Sequence, residues 1–373
     1  MKDMKEIFRK IDEAKPAMME TWRSLVDRDC GSGNKAGVDA VGQDIRAFLE
    51  PLGFSVRFHE YTEAGNMLVA EKGDMTKPFV MLMGHMDTVF FKGEPERRPF
   101  TVKDGKAYGP GVLDMKGGVA ILLSALSAMD AAGALDFPVK VLLDADEEPA
   151  HCYSDAPEVI RKEARGAKCA FNFETGFPDN SLVVQRKGCW RFFVEVWGRG
   201  CHVGNDPENG RSAILEMAHK IIEIEKLTDF SKEYNVNVGT IEGGTVANAA
   251  PAYCKVECDF RYTHPEDLPV LRQKVAEVCA KTYVPDTVTK VTDHVGFAVM
   301  PRLEGNMGLL AIAQDAAADA AYTTSEGVAT LCATGVEGGR NHTVEEWADV
   351  ESFFRRTKQM AGILFRVREK ESI

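Results

Sequence analysis

Five short segments of this sequence set metal-binding side chains directly after apolar runs or inside glycine-rich turns. Gly84-His85-Met86-Asp87 follows the apolar run Phe79 to Met83. Residues two apart on an extended end point the same way, so Asp87 can take a hydrogen bond from one ring nitrogen of His85 while the other meets a metal. Taken alone, the pair reads better as part of a surface loop. Tyr108-Gly109-Pro110-Gly111-Val112-Leu113-Asp114-Met115-Lys116-Gly117-Gly118 encloses one acidic side chain in a tight turn. A carboxylate held there can bridge two cations, or it can cap the helix that follows. Asp146-Glu147-Glu148 comes just after the run Val139 to Asp144. Adjacent Glu147 and Glu148 diverge, so one can bind metal while the other faces a water; the plainer reading is a solvated acidic loop. Against it stands position, because sites form at the carboxyl ends of strands in open α/β sheets. Phe171-Asn172-Phe173-Glu174-Thr175-Gly176 is another apolar run ending in a carboxylate. Gly338-Gly339-Arg340-Asn341-His342-Thr343, followed by Glu345 and Glu346, carries a histidine in a glycine-rich loop.

Together these segments offer two histidines, a shareable Asp and two Glu, enough for two ions. Imidazole with carboxylate suits zinc, with manganese or cobalt as alternatives.

The elements that must position these groups follow from periodicity. The first residues, to about 30, read as a helix, and Val38, Val41, Ile45, Phe48, Leu49 and Leu52 form the apolar face of a second that ends near Gly53. Phe54 to Phe58, Asn66 to Glu71, Phe79 to Met83 and Val139 to Asp144 read as strands, and Val119 to Ala134 as a buried helix. Strands alternating with helices predict an α/β layered domain. The pattern changes near Ser181. One or two strands over Leu182 to Trp197, helix over Arg211 to Leu227, strands Val236 to Ile241 and Tyr253 to Tyr262, helix Pro265 to Lys281 and strand Thr287 to Val291 give β-α-β-β-α-β, a split βαβ sandwich inserted into the first domain. A helix over Val350 to Val367 closes the chain.

Composition narrows the function. A formal net charge of -12 with no basic stripe argues against nucleic acid as a partner. The Val119 to Ala134 run is interrupted by Ser124, Ser127 and Asp130, too short and polar to span a bilayer, so no membrane partner is expected. Met1 to Glu6 lacks the apolar core of a signal peptide, and nine scattered cysteines fit reduced thiols; both point to the cytoplasm. Cys254 and Cys258, on one face of a strand, read as small buried hydrophobes.

In this order the five motifs resemble the M20 metallopeptidases, closest to the glutamate carboxypeptidase branch through His85-Met86-Asp87-Thr88-Val89, Ala107-Tyr108-Gly109-Pro110-Gly111 and Lys116-Gly117-Gly118. The resemblance covers nearly the whole chain. It implies an α/β, zinc-exopeptidase-like catalytic domain over 1–181 and 295–373, its mixed sheet flanked by helices. An inserted β-α-β-β-α-β ferredoxin-like lid and dimerisation domain is implied over 182–294, with a homodimer formed through it. It implies His85 and Glu174 on one metal, Glu148 and His342 on the other, Asp114 bridging, Glu147 as general base and Asp87 orienting His85. It also implies a cis peptide at Asp114–Met115. Gly198 to Gly204 with Asn209 to Ala213 resembles the family's lid histidine motif, making His202 the group that polarises the scissile carbonyl; without the resemblance His202 reads as a polar loop residue. Asn248 and Arg261 match a lid strand and a substrate contact, although Arg261 also reads as pairing with neighbours on the Asp259 side of a strand surface.

The sequence departs from the family in three places. Ala316 to Tyr322 stands where the family has Gly-Gly-Ser/Thr-Asp, and the segment leading to it from Met307 is short. Pro149-Ala150-His151-Cys152-Tyr153-Ser154 replaces a Gly-Ser pattern, with His151 and Cys152 either loop residues or extra ligands. No arginine stands at Asp293 to Phe297 to grip a substrate carboxylate. The expected function is a two-zinc hydrolase cleaving an amide bond of a small peptide or N-acyl amino acid, in the manner of a carboxypeptidase or dipeptidase. An N-acyl-amino-acid deacylase and an impaired, metal-retaining binding protein are the alternatives.

Overall fold

The run Phe79–His85 is a strand buried at every position, and so is Val139–Asp144. Strands buried on both faces read as continuous apolar runs because helices cover the sheet on either side. The structure is a computed structural model and describes residues 4–179, 181, 183–312 and 327–370. In chain order the elements are α1 (Met4–Val26), α2 (Lys35–Leu49), β1 (Ser55–His59), β2 (Met67–Lys72), β3 (Phe79–His85), α3 (Glu94–Arg97), β4 (Thr101–Lys103), β5 (Lys106–Tyr108), α4 (Lys116–Ala131), β6 (Val139–Asp144), α5 (Ala156–Ala164) and β7 (Ala167–Asn172). Then come β8 (Gly188–Trp197), α6 (Ala213–Glu225), β9 (Asn235–Gly243), β10 (Tyr253–Tyr262), α7 (Asp267–Ala280) and β11 (Val288–Phe297). The chain ends with α8 (Glu304–Ile312), β12 (Thr330–Leu331), β13 (Gly338–Gly339), β14 (Trp347–Asp349) and α9 (Val350–Val367).

Two compact units result: Met1–Arg186 with Arg302–Ile373, and Lys187–Pro301. In the larger unit a six-stranded sheet runs β1-β2-β6-β3-β7-β12. It is mixed: β1 and β2 join antiparallel, while β6, β3, β7 and β12 run parallel. Helix α4 is apolar nearly all round; it packs on β3 and is covered by α1 and α9. Gly118, in the first turn of α4, lets that helix press on the segment after β7, since a Cβ there would lie 1.7 Å from the Phe173 carbonyl oxygen. A second sheet in this unit, β13-β14-β5-β4, is small and antiparallel.

The smaller unit is one antiparallel sheet, β11-β8-β10-β9, with α6 and α7. Alternate residues of β8 and β10 are buried, and Phe192, Val194, Val256, Cys258 and Phe260 form its core with Met217 and Val275. This is the β-α-β-β-α-β order read from the sequence.

Several details differ from the sequence reading. The strand expected from Leu182 begins only at Gly188, where pairing with β10 starts; Val183 makes an isolated bridge with Cys332 instead. Strand β11 continues through a bulge to Phe297, so the smaller unit ends later than 294. β4, β5 and α5 went unread: β4 is exposed throughout and has no apolar alternation to betray it. The departure at Ala316 to Tyr322 lies outside the described residues. No helix among the described residues is long and apolar enough to cross a membrane.

Candidate metal centre

Parallel pairing brings distant residues to one edge of the large sheet. His85 ends β3, in register with Asp144 at the end of β6, and Met83 pairs with Asn172 at the end of β7. The segments that follow, carrying Asp87, Glu147, Glu148 and Glu174, therefore leave the sheet at the carboxyl ends of neighbouring strands.

Asp114 and His342 arrive from the small sheet. Trp347 of β14 pairs with Tyr108 of β5, and β14 pairs back on β13. The turn after β5 thus meets the loop between β13 and β14. Glu346 fastens the two: its buried carboxylate accepts the backbone N–H groups of Gly111 (3.2 Å), Leu113 (2.8 Å) and Asp114 (2.9 Å). Lys116 ties the start of α4 to the end of α1 by donating to the carbonyls of Val26 (3.1 Å) and Arg28 (2.8 Å). Asp114 does not cap α4; Met115 is the capping residue and offers no side-chain bond. The Asp114–Met115 peptide is cis.

His85, Asp114 and Glu174 form one group of ligand atoms, and Asp114, Glu148 and His342 another, with all atoms in each group within 4.8 Å. His85 Nε2 lies 3.2 Å from Glu174 Oε1 and 3.5 Å from Asp114 Oδ1. His342 Nε2 lies 3.2 Å from Asp114 Oδ2 and 3.3 Å from Glu148 Oε2. Asp114 thus presents one oxygen to each group. A tetrahedral ion with bonds of about 2.0–2.1 Å sets its ligand atoms roughly 3.3 Å apart, so the spacings suit a small cation in each group. His85 Nε2 and Glu148 Oε1 are buried without a hydrogen bond, as atoms aimed at an ion would be. Imidazole and carboxylate are zinc-type donors.

Asp87 is fully buried beneath the first group. Its Oδ1 is 3.2 Å from His85 Nδ1; Ser32 Oγ donates to Oδ2 at 2.6 Å, and the backbone N–H groups of Glu147 and Glu148 donate to its two oxygens at 3.3 Å each. Glu147 is half-buried and belongs to neither ligand group. Its charge nonetheless acts on His85.

The electrostatics favour cations. Burial opposes charge on His85, yet Asp114, Asp87, Glu174 and Glu147 together hold its ring well above the ordinary histidine value. Hydrogen bonds to Asp114 and Glu148 push His342 up to about 10. Burial pushes Glu148 up to about 7, with the Asp114 charge adding to it, while Asp114 stays low despite burial because both histidine rings face it. His342 is the open side of the centre, its side chain 53% exposed.

In the smaller unit His202 is exposed, its Nδ1 accepting the Gly204 N–H at 3.1 Å. Asn248 is exposed and its carbonyl accepts the Val203 N–H. Arg261 is paired with Asp259 on its own strand, at 2.6 and 2.9 Å. Three participants in the larger unit have no role in the sequence reading: Ser32, Glu346, and Asn341, whose Nδ2 donates to Asp114 Oδ2 at 3.0 Å. Their places in and just after the fifth segment are the signal for Asn341 and Glu346; Ser32 carries none.

An α/β unit with two imidazole–carboxylate groups sharing one Asp at its strand ends has the form of a metal-dependent hydrolase. The chain belongs to peptidase family M20/M25/M40, whose model matches residues 81–366. It is 28% identical over 379 residues to carboxypeptidase G2 of Pseudomonas sp. (strain RS-16), covering 96% of this chain and 91% of that one. It is 31% identical over 270 residues to acetylornithine deacetylase of Proteus mirabilis (strain HI4320), covering 66% of this chain and 67% of that one. The crystal structure of aminopeptidase PepT from Bacillus cereus ATCC 10987 matches with a TM-score of 0.76 at 18% identity, over 95% of this chain and 98% of that one. That likeness concerns the fold.

Proposed function

We propose that this chain hydrolyses an amide bond of a small peptide or N-acyl amino acid, in the manner of a carboxypeptidase or dipeptidase, with two zinc ions as cofactors. The observation that carries the reading is the Asp114 carboxylate with one oxygen turned to each histidine group. His85 and Glu174 would hold one ion, Glu148 and His342 the other, and Asp114 both.

Ions held by these residues would supply a water acidified towards a pKa of about 7 and a Lewis acid for the substrate carbonyl. Glu147 takes the proton of the attacking water and returns it to the leaving nitrogen. Asp87 holds His85 in the tautomer that presents Nε2. His202 serves to polarise the substrate carbonyl, Asn248 and Arg261 to contact substrate, and the smaller unit to act as lid and homodimer surface; these four assignments rest on the family resemblance. A cytoplasmic location fits the reduced cysteines.

Similarity to a deacetylase supports a second reading with the same machinery, an N-acyl-amino-acid deacylase. The test is a panel of dipeptides and N-acyl amino acids, with protein stripped of metal and reloaded with zinc, cobalt or manganese. Metal-dependent turnover that Glu147→Gln removes, while the ions stay bound, supports the reading. No turnover of any substrate with both ions bound would replace it with a metal-retaining binding protein.

A further inference from the structure

The loop after β6 carries Glu147 and Glu148 out and His151 back. His151 has no part in the chemistry above, and it stands where the sequence departs from the family's Gly-Ser pattern. Its backbone is unusual. Ala150 and His151 both have left-handed φ, 55° and 59°, a conformation that suits glycine and strains residues with a Cβ. Two successive strained residues persist only where their surroundings hold them.

The surroundings are specific. The His151 ring is buried, with Nδ1 2.9 Å from Asp144 Oδ2 and 3.7 Å from Asp146 Oδ1. Asp144 is the last residue of β6, a rigid central strand. Asp146, fully buried, accepts the Tyr153 N–H at 3.1 Å and the Ser154 hydroxyl at 2.6 Å. The backbone closes the turn: His151 N–H donates to the Asp146 carbonyl (2.9 Å) and Ala150 N–H to that of Glu147 (2.7 Å). Glu147 and Glu148 therefore sit on a turn gripped from both sides, by Asp87 at their N–H groups and by His151 at its return.

Asp144, Asp146 and His151 are also close enough to hold an ion. Both Asp146 oxygens accept hydrogen bonds, while His151 Nδ1 faces Asp144 Oδ2 at 2.9 Å, a separation that a direct pair and a shared ion would both give; the zinc count below separates the two.

We propose that His151, through its contact with Asp144, is a positioning residue that holds the Glu147–Glu148 turn in place at the metal centre. The inference rests on the role given to Glu147 above. A side chain misplaced by about 1 Å can cost on the order of 10²-fold in rate, so a turn carrying both a base and a ligand needs such a hold.

The test compares wild type, His151→Gly and His151→Asn. Glycine suits the backbone angle at 151, so the first variant removes the ring without adding strain. Asparagine also tolerates that angle and keeps a donor for Asp144. Three quantities are measured: kcat and KM, zinc per chain after dialysis, and deuterium exchange of backbone amides 145–153 in metal-free protein. In His151→Gly we expect faster exchange at Glu147 and Glu148, a kcat lower by about 10²-fold with KM little changed, and partial recovery of kcat in His151→Asn. Unchanged exchange with unchanged kcat overturns the proposal. So does wild type holding one zinc more than His151→Gly with equal kcat, which would make the cluster a third ion site. Should wild type turn over no substrate, the hydrolase reading fails, and the exchange data still decide the role of His151.

Discussion

The Asp87 carboxylate accepts the backbone N–H of Glu147 at 3.3 Å. The same oxygen faces His85 Nδ1, so one buried acid sets both an imidazole of the candidate centre and the loop bearing the proposed base. Replacing Asp87 by Asn presents an amide N–H to donors it used to accept. Loss of such a partner behind a ligating histidine typically costs 10–100-fold in metal affinity, about 1.4–2.7 kcal/mol. Asp87→Asn should show that loss in a zinc competition titration, with a lower kcat at saturating zinc as well. Wild-type affinity would mean that Asp87 is only packing.

Glu346 is predicted to matter through the backbone. Glu346→Ala leaves three donors of the Gly111–Asp114 turn without their acceptor, and an unpaired buried donor costs about 1–3 kcal/mol. The variant should unfold at lower urea concentration and bind zinc more weakly, because Asp114 loses its seat. Glu346→Gln keeps one oxygen for Leu113 and Asp114 and should lie between the two. A variant as stable as wild type would show that water replaces the carboxylate at no cost.

Removing the ions should destabilise the larger unit. A ligand that binds only the folded state at 100 times its Kd contributes about 2.7 kcal/mol. Chelation should therefore lower the thermal midpoint, and added zinc should restore it in a concentration-dependent way. A midpoint indifferent to chelator and zinc alike would remove the metal centre from the account.

A pH dependence is expected from a carboxylate outside the two ligand groups. Glu163 Oε2 lies 2.7 Å from Lys140 Nζ and its Oε1 2.7 Å from Arg57 Nη2. Burial raises its carboxyl, but these two cations outweigh that and hold it below the ordinary value of 4.5. The folded state thus binds the proton less tightly than the unfolded chain. The contribution to stability is complete above the unfolded value and is lost as pH falls through the lowered one. Urea midpoints of wild type should therefore fall more steeply than those of Glu163→Gln as pH drops below about 4.5. Parallel curves would refute the assignment.

Much of the larger unit is legible in the sequence because its central strands are unbroken apolar runs, and a ligand directly after such a run can lie only at a strand end. The strand-end positions of His85 and Glu174 were readable on that ground. His202, Asn248 and Arg261 were not legible from their surroundings: each sits among polar neighbours, and only the resemblance gave them a role. The strands β4 and β5 escaped notice because they are short and largely polar, yet β5 is what brings the Asp114 turn to His342.

Residue order by itself determined the buried strands, the helices that cover them and the donor types waiting at their ends, since period and apolarity are local properties. Only the tertiary structure decided that the two oxygens of Asp114 face different histidines, that Glu346 seats a turn more than 200 residues away, and that His151 is buried against Asp144. Those contacts depend on where strand pairing brings distant segments, and a hydrogen bond across the fold leaves no spacing in the chain from which to read it.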